Sequence, residues 1–335
     1  MRRKLFVFAA VGLGFFGVLS CTSDRGKKSA DQPENTAKSA SIPAFNADSA
    51  YFFVQKQVSF GPRIPNSEAH QKTGDYLVNY LKSVGAIVIE QRFSGTTYDN
   101  KKLNLRNIIA SFNPEKKKRI LLAAHWDTRP FADKDPEKPN STFDGANDGA
   151  SGVGVLLEIA RVISKDSLPN AGVDIILFDG EDWGEPGEQE RENPLPKNLS
   201  DWWCLGSQHW SKNKHQSGYT ASFGILLDMV GGKNAQYAKE GYSVEYAPSV
   251  VDKVWQTATR LGYSHIFLQE KTGFVTDDHR FVNELGKIPM IDIISYDPAW
   301  GFGEFHHARS DNMEIISKET LGVVGTTVLH VLYNE

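Results

Sequence analysis

The chain has 335 residues, of which 40% are hydrophobic and 23% charged, so it is long enough to bury one large core. Its formal net charge of −4 offers no basic surface for a polyanion, and we therefore exclude a nucleic-acid partner. It contains only two cysteines, Cys21 and Cys204.

The first 21 residues combine a basic start, an apolar run and small residues before Cys21, as a secretory signal does. The letters VLSC at their end resemble a bacterial lipobox, whose cysteine becomes lipidated. An ordinary signal peptide or an uncleaved anchor is the alternative. Residues 22–42 are polar and lack a hydrophobic period, which predicts a flexible tether. We expect an exported protein on the periplasmic face of a bacterial membrane, attached only through its lipid, with Cys204 left unpaired.

From residue 43 onward, segments with a helical pattern alternate with segments rich in branched residues. The predicted helices are 48–60, 67–85, 149–166, a stretch from Cys204, 249–262 and 318–334. The predicted strands are 86–93, 103–112, 119–127, 173–182, 223–232 and 288–295. This alternation predicts a single domain over residues 43–335, in which helices cover both faces of a largely parallel sheet.

Polar side chains follow the apolar runs at the points where the predicted strands end. Sheets of this class carry their ligand sites at the carboxyl ends of the strands, so these side chains should meet. Carboxylates crowded there would repel one another unless a cation neutralised them, and carboxylate with imidazole suits Zn²⁺. The residues concerned are His125, Asp127, Asp148, Glu181, Asp182, Asp228, His306 and His307.

Two of these acids, Glu181 and Asp182, are adjacent in the sequence FDGED. Neighbouring side chains of an extended backbone point to opposite sides, so one can bind an ion while the other faces a reacting group. A carboxylate close to a metal but not bound to it is a candidate general base. We therefore predict that the pair divides into a base and a metal ligand.

Seven short motifs occur in an order that resembles the zinc aminopeptidase superfamily: HWD, DGANDGASG, FDGED, LGSQHW, LLDMVGG, DDHRF and HHARSDN. The resemblance is closer to the cyclase branch, the animal-type (type II) glutaminyl-peptide cyclotransferases, here in a bacterial lipoprotein form. It runs from about residue 45 to the end of the chain. It implies an α/β fold, a three-layer α/β/α sandwich with a mixed, mostly parallel central sheet.

The resemblance also implies roles for individual residues. Asp148, Asp182 and His307 match the ligands of the metal, and Glu181 matches the general base and acid. Two departures stand out. Asp182 occupies a position where the animal enzymes have Glu, and His306 one where they have Trp.

The resemblance further implies that Asp228 and Asp277 form a hydrogen-bond chain with the base. The implied reaction converts the N-terminal glutamine of peptides or proteins to pyroglutamate and ammonia. The substrate's own α-amine attacks its γ-carboxamide, with one zinc ion polarising the carbonyl. No Ser or Cys nucleophile is then needed, and we expect a monomer.

A di-zinc aminopeptidase is the alternative, in which His125, Asp148 and Asp228 would hold a second ion. A domain that lost its metal and only binds partners should have lost some of the ligands, which are all here. Two aromatic-rich stretches, residues 183–207 and 295–305, favour the cyclase, because aromatic walls suit a small pocket that excludes water. From these stretches we predict that the substrate pocket contains Trp202, Trp300 and Phe302.

Overall fold

The computed structural model describes residues 42–335 except residues 167, 169, 187–193, 298 and 300. The predicted signal with Cys21, and the tether up to residue 41, lie outside the described residues. Residues 42–335 form one compact unit. Within the described part of the chain, no helix is long and apolar enough to span a bilayer.

The described residues contain eight strands and eight α-helices. The strands are β1 (Ile87–Thr96), β2 (Lys102–Phe112), β3 (Arg119–His125), β4 (Gly172–Phe178), β5 (Phe223–Asp228), β6 (Tyr237–Lys239), β7 (Phe267–Lys271) and β8 (Met290–Ile294). The helices are α1 (Ala47–Val58), α2 (Glu68–Ser83), α3 (Ala150–Lys165), α4 (Leu205–Lys212), α5 (Gly241–Tyr246), α6 (Pro248–Arg260), α7 (Asp278–Glu284) and α8 (Lys318–Tyr333).

Six strands form the central sheet in the order β1-β2-β4-β3-β5-β8. Strands β1, β2 and β4 pair antiparallel, whereas β4, β3, β5 and β8 run parallel to one another. Every residue of β3, β4, β5 and β8 is buried, as expected of parallel strands covered on both faces.

Alternate residues of the central strands pack into two different hydrophobic clusters. Ile120 and Leu122 of β3 belong to the cluster formed with α1, α3 and α8, whereas Leu121 and Ala123 belong to the cluster formed with α4 and α7. This period of two places one helical layer on each face of the sheet. The predicted three-layer α/β/α fold with a mixed sheet is thereby confirmed.

Four short elements have no counterpart among the predicted helices and strands: β6, β7, α5 and α7. Strands β6 and β7 pair with each other outside the central sheet. Most of β7 is exposed or half-buried, so its sequence carries no apolar period that would mark it. These elements matter because they carry one wall of the cavity described next.

Candidate metal centre and its cavity

The parallel strands all end at the same edge of the sheet, and the predicted site residues lie there. Asp148 lies two residues before α3, Asp182 follows β4, Asp228 ends β5, and His307 lies beyond β8. These side chains are at least nine-tenths buried. Three carboxylates and an imidazole from four distant parts of the chain therefore lie at this edge.

Two of these carboxylates lie close to the imidazole of His307. His307 Nε2 lies 3.1 Å from Asp182 Oδ1 and 3.7 Å from Asp148 Oδ2. Two ligand atoms bound to one tetrahedral zinc are about 3.3 Å apart, because each lies about 2.0–2.1 Å from the ion. Asp182 Oδ1 is buried and accepts no hydrogen bond from any described residue. The donor set, its spacing and this free oxygen all fit a zinc ion.

Two further carboxylates hold these ligands through the backbone. Asp127 accepts hydrogen bonds from the N–H groups of Glu181 and Asp182, at 3.1 and 3.2 Å. Asp311 accepts hydrogen bonds from the N–H groups of residues 147–148, at 2.7 and 3.0 Å. The loops after β4 and before α3 are therefore fixed by groups that do not reach the metal position themselves.

His307 is oriented from its other side. Its Nδ1 lies 3.3 Å from Asp133 Oδ1, and Arg129 donates two hydrogen bonds to the same carboxylate at 2.8 and 2.7 Å. The ring of Trp203 stacks on the imidazole at a centroid distance of 6.0 Å. Burial would lower the pKa of His307, but Asp182 and Asp133 outweigh it and raise the pKa to about 9. Such a carboxylate–histidine pair is the usual support of a metal-bound imidazole.

The neighbouring His306 also approaches the group, with Nε2 4.0 Å from Asp148 Oδ2. Its Nδ1, however, lies 2.7 Å from Lys134 Nζ. Burial, together with the positive charges of His307 and Lys134, lowers the pKa of His306 well below its usual value. A neutral imidazole that accepts from Lys134 at Nδ1 carries its proton on Nε2 and offers no lone pair there. We therefore interpret His306 as part of the cavity wall.

A second group of possible ligands shares Asp148. His125 Nε2 lies 3.1 Å from Asp148 Oδ1 and 3.2 Å from Asp228 Oδ1. Burial would lower the pKa of His125, but contacts with Asp127, Asp148 and Asp228 raise it well above its usual value. These distances fit either a direct ion pair or a second cation, so the group is compatible with one metal ion or two.

Glu181 projects into the cavity beside the metal group. Its Oε1 accepts a hydrogen bond from Cys204 Sγ at 3.2 Å, and Asp277 lies within 4.8 Å. Burial raises the pKa of Glu181 well above its usual value, and Asp182 and Asp277 add to this against the opposing effect of His125. A carboxyl group whose protonated form is favoured in this way can both accept and return a proton.

Behind Asp277 lies a buried acidic cluster that the sequence did not reveal. Asp277, His279 and Asp292 offer ligand-type atoms within 4.8 Å of one another, and His279 Nε2 lies 2.9 Å from Glu240 Oε2. Burial, and then the proximity of Asp277, raise the pKa of Asp292 well above its usual value. Asp277 thus lies between Glu181 and a buried acidic cluster.

The site opens into a cavity of about 380 Å³. Phe302, one of the predicted pocket residues, lies in its wall, whereas Trp300 lies outside the described residues. Trp202 does not line the cavity and is buried away from it; its neighbour Trp203 lies there instead. Consecutive side chains diverge from this irregular segment, and the sequence WW does not say which of the two faces inward. Lining residues that the sequence did not indicate are Arg129, Asp133, Lys134, Pro186, Met229, Phe274, Val275, Thr276, Ile294 and Tyr296.

Three residues at the site have left-handed backbone conformations that non-glycine residues rarely adopt. Their φ angles are 59° at Cys204, 50° at Met229 and 54° at His307. Cys204 contacts Glu181, Met229 follows Asp228, and His307 belongs to the metal group. Backbone strain of this kind persists where the surrounding structure fixes it, and it concentrates at functional sites.

The fold and the site together define a class of protein. The mixed sheet carries a buried carboxylate–imidazole group at its carboxyl edge, and Glu181 lies beside that group without belonging to it. This is the architecture of a metal-dependent α/β enzyme. The profile of peptidase family M28 matches residues 107–332. The chain belongs to this family.

Two solved structures and one further protein show how similar the chain is to individual relatives. A glutaminyl cyclase of Bacteroides thetaiotaomicron, solved with N-acetylhistamine bound, is 50% identical; the match covers 88% of this chain and 100% of that one, with a TM-score of 0.83. A Zn-dependent exopeptidase from Parabacteroides distasonis is 51% identical over the same shares, with a TM-score of 0.84. The glutaminyl-peptide cyclotransferase of Boiga dendrophila is 24% identical over 280 residues, which cover 77% of this chain and 73% of that protein.

Proposed function

We propose that this chain is a zinc-dependent glutaminyl-peptide cyclotransferase, which converts the N-terminal glutamine of peptides or proteins to pyroglutamate with release of ammonia. The observation that carries the proposal is the 50% identity to a glutaminyl cyclase over that protein's whole length. The site supports it, because a buried acid stands beside a metal group in a cavity whose wall includes Trp203, Tyr296 and Phe302.

In this proposal Asp148, Asp182 and His307 hold one zinc ion, and His125 with Asp228 forms an ion pair. The bound ion supplies Lewis-acid polarisation of the substrate's γ-carbonyl group. The departure at Asp182, one methylene shorter than Glu, is compatible with this role because its Oδ1 lies 3.1 Å from His307 Nε2.

The remaining chemistry is proton transfer by Glu181. The neutral α-amine of the substrate attacks the carbonyl carbon of its own γ-carboxamide, and Glu181 accepts the amine proton. The same carboxyl group returns that proton to the carboxamide nitrogen, whose C–N bond breaks as ammonia leaves. The thiol of Cys204 donates to Glu181 Oε1 and orients the carboxylate. Asp277 lies within 4.8 Å of Glu181, and in this proposal Asp277 and Asp228 form a hydrogen-bond chain with it. The aromatic walls, Trp203 and Phe302, exclude water that would hydrolyse the amide instead.

The test uses the protein from residue 43 with a short peptide that begins with glutamine, followed by mass analysis of the products. We expect loss of one ammonia with the peptide otherwise intact. The control is the same peptide beginning with an N-acetylated glutamine, whose blocked amine cannot attack and which should stay unchanged.

Release of the free first amino acid would contradict the cyclase and establish an aminopeptidase. One observation favours this second function: the ligand-type atoms of His125, Asp148 and Asp228 lie within 4.8 Å of one another, which also suits a cation. A zinc content of two ions per chain would accompany that outcome.

We also propose the chain layout and location that the sequence predicts. Residues 1–21 are a lipoprotein signal ending at Cys21, residues 22–42 a tether, and residues 43–335 a catalytic domain that acts as a monomer. The lipid on Cys21 holds the domain at the periplasmic face of a bacterial membrane, where it meets peptides and proteins with N-terminal glutamine.

Replacing Cys21 with Ala is expected to abolish attachment, because no thiol remains to receive a lipid. The variant should leave the membrane pellet after cell fractionation, and Ser23→Ala, two residues away, should stay in it. If Cys21→Ala still sediments with membranes and resists extraction by salt, the lipobox assignment is wrong.

A further inference from the structure

An exposed phenylalanine stands at the mouth of the cavity that holds Glu181. The side chain of Phe274 is 61% exposed and lines the cavity together with Val275 and Asp277. Exposed large apolar side chains beside a ligand cavity commonly mark surfaces that become covered on binding. Glycine or a polar residue would serve a loop that had only to connect β7 to α7.

The segment that carries Phe274 is fixed to the junction of β6 and α5. The N–H of Thr272 donates to Lys239 O at 2.9 Å, and the N–H of Gly241 donates to Gly273 O at 3.0 Å. The N–H of Val275 donates to the buried carboxylate of Glu240 at 3.0 Å. Phe274 is therefore presented by a rigid rim rather than by a loose loop.

The ring itself is packed on one side only. A Cβ atom at Gly241 would lie 2.8 Å from two atoms of the Phe274 ring, so glycine provides the space in which that ring lies. Tyr242 contacts the ring edge-on at a centroid distance of 4.8 Å, and Tyr246, 39% exposed, stacks on Tyr242 at 6.2 Å. Phe274, Tyr242 and Tyr246 form a continuous aromatic ledge, with one side open.

The cation beside this ledge is already neutralised. The guanidinium of Arg280 lies 5.2 Å from the centre of the Tyr242 ring, but it also contacts Glu284 at 3.0 Å and Asp201 at 3.6 Å. An acidic side chain would therefore gain little from Arg280. An apolar or aromatic side chain would cover the open side of the Phe274 ring and remove both surfaces from water.

We propose that the aromatic ledge binds the side chain of the substrate's second residue and gives the enzyme a preference for large apolar, above all aromatic, residues there. This inference rests on the proposed function. The N-terminal glutamine occupies the inner cavity beside Glu181, and the peptide continues outward only through that residue's carboxyl group. Phe274 and Glu181 line the same cavity, and Phe274 stands at its exposed end, so the residue that follows the glutamine is the one that faces this rim.

The experiment compares kcat/KM for otherwise identical peptides that begin Gln-Phe, Gln-Leu, Gln-Glu or Gln-Gly. For the wild-type protein we expect Gln-Phe to exceed Gln-Gly about 3- to 10-fold, the range of one good aromatic contact. Phe274→Ala should reduce this ratio to near one, and Phe274→Leu should give an intermediate ratio. Phe52→Ala is the matched control, because Phe52 is 55% exposed on α1 and does not line the cavity.

Each result decides one question. Three results would overturn the inference without affecting cyclisation itself. They are a Gln-Phe to Gln-Gly ratio of kcat/KM near one in the wild type, the same ratio unchanged in Phe274→Ala, and a preference for Gln-Glu. If none of the four peptides is cyclised, the proposed function fails and the inference falls with it. An equal loss in Phe52→Ala would assign the effect to general destabilisation rather than to the aromatic ledge.

Discussion

Replacing Glu181 with Gln is expected to lower kcat about 10²- to 10⁴-fold, the contribution usual for a general acid–base. Glutamine keeps the shape of the side chain and can still contact Cys204, but it cannot accept a proton from the substrate amine. The metal group does not include Glu181, so bound zinc should remain at its wild-type level. The measurements are kcat, KM and metal content by elemental analysis on the same preparation.

A matched control is Glu158→Gln, which also changes a fully buried glutamate. Glu158 accepts a hydrogen bond from Asn46 N and pairs with Arg161, and it does not line the cavity. It should cost stability but leave kcat close to wild type. If Glu181→Gln retains kcat within about threefold of wild type while zinc stays bound, Glu181 is not the acid–base group.

Replacing His307 with Ala is expected to remove the metal, because the imidazole is the only nitrogen ligand in the proposed set. Zinc at 1,000 times its dissociation constant would stabilise the wild-type protein by about 4 kcal/mol, and the variant should lose this effect. Metal content and the unfolding temperature with zinc or with a chelator give two readouts besides activity. The wild type should shift between the two conditions and His307→Ala should not.

The adjacent His306→Ala is the control that separates the two histidines. His306 accepts from Lys134 and stacks on His307, so its loss should leave zinc bound, although it opens the cavity wall. The reverse pattern, with zinc lost from His306→Ala and kept in His307→Ala, would replace the proposed ligands by another set. A content of two ions in the wild type would direct attention to His125.

Much of the site could be anticipated because parallel strands bring their carboxyl ends together. Asp182 and Asp228 follow apolar runs typical of buried strands, so their position at the same edge of the sheet follows from the topology. The position of Asp148 before a glycine-rich helix start indicated the same edge. A buried parallel strand is visible in the sequence as a run of apolar residues. The residue at which that run ends therefore lies at the carboxyl edge of the sheet.

What could not be anticipated depends on loops or on contacts with the backbone. The sequence placed Asp127 at this edge but did not predict its role, which is to accept hydrogen bonds from the N–H groups of Glu181 and Asp182 and which depends on loop geometry. Trp203 lines the cavity and Trp202 does not; the two lie in an irregular segment with no periodic pattern that would predict which one faces inward. Phe274 carried no signal at all, because a single aromatic residue in a short loop has no period.

The metal group joins residues that are far apart in the chain, since Asp148 precedes α3 whereas His307 follows the last strand of the sheet. No N-terminal fragment that ends before residue 306 contains the complete set of ligands. Contacts over such a separation form late in folding, after the costly closure of a long loop. We therefore expect zinc to bind in the last step of folding and to hold the C-terminal segment against a sheet that has already formed.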